Sequence, residues 1–122
     1  MIRKLILVIL ALLCASCTTL SDKTHLAALA DTTSTIIAIN SGHLEANPIL
    51  GQSTTNIVVV GIVKYFLIKQ LKNTDSKEAL RILYSLYSGT AVNNTLIILG
   101  LNGPLPIIIG IASGYILYKQ EN

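Results

Sequence analysis

The sequence has no tryptophan and one phenylalanine, and with five tyrosines its aromatic content reaches only 5% of 122 residues. With so few stacking surfaces and a formal charge of +3, it lacks the aromatic platforms and basic stripe of a nucleic-acid-binding protein. Charge is scarce too. Only 12% of residues are Asp, Glu, Lys or Arg, against about 25% in a soluble domain. Disorder requires low hydrophobicity and high net charge, whereas 52% of this chain is hydrophobic and its mean hydropathy is +0.64. The two cysteines, Cys14 and Cys17, are too close together to form a disulfide framework. The length leaves little room for a second domain. These exclusions point to an all-α, small polytopic membrane bundle.

What is present begins with a targeting pattern. Met1-Ile2-Arg3-Lys4 is a basic n-region, and Leu5 to Leu13 is unbroken apolar sequence before Cys14-Ala15-Ser16-Cys17. Nine residues span about 14 Å as a helix, too short for a hydrocarbon core of roughly 30 Å. Residues 1–16 therefore read as an export signal, and 17–122 as one helical membrane domain. Ala15-Ser16-Cys17 resembles the box of a bacterial lipoprotein signal, with Cys17 as the lipid acceptor, although Cys14 stands where that box usually has Leu.

Four helical segments are expected after the signal, at about 24–42, 48–72, 77–100 and 105–118. In the first, a period of 100° per residue collects Thr24, Ala27, Ala28, Asp31, Ser34, Thr35, Ala38 and Gly42 on one side. Leu26, Leu29, Thr33, Ile36 and Ile37 fall on the other. Asn47 followed by Pro48 reads as an N-cap and first residue of the second helix. Asp75 and Glu78 have the spacing of a capping box for the third. Asn102-Gly103-Pro104 is turn chemistry before the fourth.

Charge placement predicts sidedness. Lys64, Lys69, Lys72, Lys77, Arg81 and Lys119 cluster at the end of the second helix, the start of the third and the end of the fourth, with all five tyrosines there or nearby. Basic residues mark the cytoplasmic side and tyrosine prefers the interface. The Lys69–Lys77 loop is thus expected in the cytoplasm, with Lys64 snorkelling toward it. The turn around Glu45 and the start of the mature chain are expected in the periplasm of an inner (cytoplasmic) membrane. Lipidation of an exported Cys17 and a fully crossing Asp31 helix cannot both hold with that orientation. The Asp31 helix is accordingly read as short and amphipathic or re-entrant on the outer side. The alternative is that Cys17 is not exported and the Asp31 helix spans outward from the cytoplasm.

Asp31-x3-Thr35 followed by Gly42-x2-Glu45-x-Asn47-Pro48-x2-Gly51 resembles a family of small bacterial and archaeal membrane proteins without an assigned activity. In that family a helix bearing Asp and Thr precedes a Glu-x-Asn-Pro turn. The resemblance covers Ala28 to Gly51 and implies a helical membrane fold, but no activity. As chemistry, Asp31, Thr35, Glu45, Asn47, Asn93 and Asn94 form the candidate polar cluster, because ionisable residues at membrane depth are candidate sites. The bland reading of the same residues is scaffold: Asn47 caps, and Asp31 accepts hydrogen bonds from a facing helix. His25, Asp31, His43 and Glu45 lack metal-ligand spacing, and neither a nucleophile elbow nor a phosphate loop is present. No metal, cofactor or catalytic residue is expected.

Ser85, Gly89 and Asn93 recur every four residues, and Gly110 and Gly114 form a small-x3-small pair. Such residues let helices approach closely. They serve either packing within the chain or a homo-oligomer seam through Ser85, Gly89, Gly110 and Gly114. The expected function is that of a non-enzymatic envelope (lipo)protein of a bacterium or a phage-altered cell. It would act by contact with other membrane components, whose identity the sequence does not name. A holin-like permeabilising oligomer and an intramembrane enzyme using Asp31 and Glu45 are the alternatives.

Overall fold

A computed structural model of the chain describes residues 2–4, 19–43 and 53–122. Cys17, Glu45, Asn47 and Pro48, and with them the lipidation site and the Glu-x-Asn-Pro turn, lie outside the described residues. Beyond the short helical piece at residues 2–4, the described chain forms four helices: α1 (Leu20–Asn40), α2 (Thr54–Asn73), α3 (Lys77–Ile98) and α4 (Leu105–Gln120).

Local chemistry sets the helix ends. Thr19 caps α1, its Oγ1 accepting from the Asp22 amide at 3.1 Å, so the helix starts one turn earlier than its apolar pattern. Ser53 caps the described part of α2, accepting from the Asn56 amide. Three helices then stop in one way. Gly42, Asp75 and Gly100 adopt positive φ angles of 90°, 53° and 98°. At each, the next residue's amide reaches back five residues: His43 to Ala38, Ser76 to Leu71, and Leu101 to Leu96. This is the Schellman arrangement, which favours glycine at the left-handed position. Two glycines satisfy that demand without strain; Asp75 does so with a side chain. The capping box expected from Asp75 and Glu78 is therefore not formed. Asp75 is spent on closing α2, and Ser76 occupies the N-cap of α3 without a side-chain bond.

The helices alternate in direction. Lys23 pairs with Glu121, Thr24 donates to the Leu80 carbonyl at 3.3 Å, and Tyr118 donates to Glu78 at 2.6 Å. The start of α1, the end of α2, the start of α3 and the end of α4 therefore share one basic end. α3 packs most extensively, against α1 on one side and α4 on the other, and α2 lies more lightly on α1.

Two expectations about the first helix are corrected here. It does not turn back on itself: it is one continuous 21-residue helix, about 31 Å long, running beside α2 and α3. Its start also lies with the Lys69–Lys77 turn, not opposite to it. At the far end, Arg3 donates to Ser41, so that end is not free of cations.

The polarity of the bundle is inverted. Ser21, Thr24, Asp31, Ser34 and Thr35 are buried, whereas Val59, Ile62, Val63 and Phe66 on α2 and Ile108, Ile111 and Tyr115 on α4 are exposed. The buried apolar core is small, with Ala28, Ile68 and Leu80 at its centre. Among the described residues, α2 is the one helix long and apolar enough to cross a membrane, with a mean hydropathy of 1.3. α1 and α3 each carry three charged residues, as α2 does, but hold more serine, threonine and asparagine among their apolar residues, and α4 has only 16 residues.

Candidate functional site

The polar stripe of α1 faces α2 and α3 because its small side chains let those helices come close. At Gly61, a Cβ would stand 2.9 Å from the Thr32 methyl. That proximity brings the middle of α2 onto the middle of α1, where Lys64 Nζ donates to Asp31 Oδ2 at 2.6 Å. Both side chains are largely buried, 15% and 8% exposed respectively. The Lys64 ammonium also lies 4.9 Å from the centre of the Tyr87 ring on α3, a cation–π contact that strengthens as water is removed. Lys64 thus does not snorkel. It turns inward and neutralises the one buried carboxylate of α1.

One turn further along, a directed set of hydrogen bonds joins α1 to α3. Asn93 Nδ2 donates to Asn94 Oδ1 at 3.3 Å, and Asn94 Nδ2 donates to Thr35 Oγ1 at 2.9 Å and Ser34 Oγ at 3.2 Å. Those hydroxyls in turn donate to the Asp31 carbonyl at 2.8 and 3.1 Å. Asn93 Oδ1 is buried and receives no donor among the described residues. Asp31, Thr35, Asn93 and Asn94 of the sequence-derived cluster are therefore brought together. Glu45 and Asn47 are outside the described residues. Lys64, Tyr87 and Ser34 complete the constellation. Lys64 had a readable signal: a lone cation amid Val58 to Leu67 needs a partner at depth, and Asp31 is the lone acid at matching height.

The recurring small residues meet within the chain. A Cβ on Gly89 would lie 2.7 Å from the Gly110 carbonyl, and one on Gly114 would lie 2.7 Å from that of Ser85. Ser85 Oγ donates to the Gly114 carbonyl at 2.7 Å. All four residues named for a seam between copies thus line the α3–α4 crossing of a single chain.

Chemically, this arrangement is a compensated one. The carboxylate is paired, its neighbours are hydrogen-bonded, and among the described residues no three His, Cys, Asp or Glu side chains converge on a point. No family model, curated protein or solved structure matches the chain.

Proposed function

We propose that the chain is a polytopic membrane protein of the bacterial envelope whose four helices cross the bilayer together, and that it acts by contact with other membrane components and not by catalysis. The inverted polarity carries this reading. Burying serine, threonine and aspartate while presenting isoleucine, valine and phenylalanine is unfavourable in water and favourable in lipid. There the exposed side chains are solvated by acyl chains, and polar residues bond across helices.

The charged residues at depth, Asp31 and Lys64, do not count against this reading, because they are paired. A charge at the bilayer centre costs roughly 2.5–3.5 kcal/mol on insertion scales, but these two neutralise each other. α4, about 24 Å long, fits a core of roughly 30 Å with local thinning or with its flanking Lys119 reaching outward.

In this reading the basic, tyrosine-bearing end faces the cytoplasm, and α1 starts there. The Asp31 helix then spans outward and Cys17 stays an unmodified thiol. Asp31 serves as scaffold, its oxygen held by Lys64. Alkaline carbonate extraction should leave the chain in the membrane pellet; release into the supernatant would refute the membrane reading. Single cysteines introduced as Asp75→Cys and Asn102→Cys, in a chain with Cys14 and Cys17 changed to Ser, test sidedness. In intact cells an impermeant maleimide should label position 102 and spare position 75, and the reverse pattern would invert the orientation.

A further inference from the structure

A groove of about 420 Å³ runs along the outer side of the α3–α4 crossing. Its floor is formed by Gly89, Gly110 and Gly114, and Leu86 and Ile111 stand among its walls, 58% and 69% exposed. The groove ends at Tyr115 and Tyr118, at the basic end of the bundle.

The chemistry changes along its length. The body is apolar, whereas the mouth carries cations held on phenol rings. Lys119 Nζ lies 5.7 Å from the Tyr115 ring centre, and the Arg81 guanidinium lies 5.6 Å from that of Tyr118. Arg81 Nε is buried and has no acceptor among the described residues, although its Nη1 reaches Glu78 and Asn122. Around this mouth the carboxylates of Glu78 and Glu121 are already engaged, by Arg81 and Lys23. An apolar slot that opens onto Lys119, which pairs with no described carboxylate, is complementary to a lipid with an anionic head.

Building on the membrane reading above, we propose that this groove holds one acyl chain of an anionic phospholipid whose phosphate sits at its mouth, on Lys119 beside Tyr115. The tyrosines mark headgroup depth and the cations select charge. The glycines close the two helices onto each other, so that the floor of the groove is helix backbone.

Native mass spectrometry of the full-length chain in detergent, titrated with phosphatidylglycerol or phosphatidylcholine of matched chains, tests this. Phosphatidylglycerol should be retained about fivefold better for one net cation at the mouth. Lys119→Gln should remove most of that preference. Ile111→Trp, on an exposed wall, should fill the slot and lower retention of both lipids while helicity by circular dichroism stays unchanged. Equal retention of the two lipids by the native chain overturns the proposal, as does undiminished retention by Ile111→Trp. A chain that resists carbonate extraction yet shows no lipid preference sinks this inference alone; release by carbonate sinks the membrane reading instead.

Discussion

Asp31 and Lys64 meet at 2.6 Å across α1 and α2, near the middle of both helices. Their contact sets the register of the two helices, because a slip of one turn would leave two buried charges unmatched. Removing one partner from such a pair costs about 3–5 kcal/mol, whereas replacing both with apolar groups of similar volume is often neutral or stabilising. Asp31→Asn and Lys64→Met are expected to destabilise singly, and Asp31→Leu combined with Lys64→Met to recover most of the loss. Unfolding in mixed micelles, followed by circular dichroism, measures the cycle. Strict additivity of the single effects would dissolve the coupling.

The glycine contacts make a second test. Gly89→Ala and Gly114→Ala each drive a methyl into a facing backbone carbonyl, where neither side can yield. Overpacking of this kind costs about 1–3 kcal/mol. Gly61→Ala instead meets the Thr32 side chain, so Thr32→Ala should rescue it. The same unfolding assay should show rescue at position 61 and none at 89 or 114.

Asp75 holds a backbone angle that costs a side-chain-bearing residue roughly 1–2 kcal/mol. Asp75→Gly is expected to be more stable than Asp75→Ala by about 1 kcal/mol. Equal midpoints for the two variants would mean that the α2–α3 turn does not hold this conformation.

The two asparagines should behave differently. Asn94 donates to both Ser34 and Thr35, and interhelical bonds in membranes average about 0.6 kcal/mol with a maximum near 1.7. Asn94→Leu should therefore destabilise by roughly 1 kcal/mol. Asn93 donates a single long bond, to Asn94 Oδ1 at 3.3 Å, and its own oxygen has no donor among the described residues, so less bonding is lost with it than with Asn94. Asn93→Leu should move the midpoint less, and a larger loss at 93 than at 94 would contradict the bonding scheme.

The N-terminus supplies a measurement of a different kind. The Arg3–Ser41 bond exists only in a chain that keeps residues 1–16, and an inward start for α1 keeps Cys17 from export. Intact-mass analysis of membrane-extracted protein should give the unprocessed chain. A diacylglyceryl adduct on a chain beginning at Cys17 would restore the lipoprotein reading and reverse the orientation proposed here.

Periodicity made the interior of α1 legible. The stripe Thr24, Ala27, Ala28, Asp31, Ser34 and Thr35 is the buried face, because a 100° step places those residues together whatever surrounds them. The same local logic places the turn at Gly103, at positive φ, since glycine enters that region freely; Gly42, expected at the end of the first helix, instead closes it in the left-handed region. Partnership between helices was not legible. That Lys64 turns inward to Asp31, that Asp75 closes one helix instead of opening the next, and that α1 starts at the basic end all depend on how separate helices are laid side by side. A one-dimensional pattern states which residues share a face, but the choice of facing residue is made by close packing. Here that packing is set by Gly61 against Thr32 and Gly89 against Gly110, where the absence of a side chain lets two backbones meet.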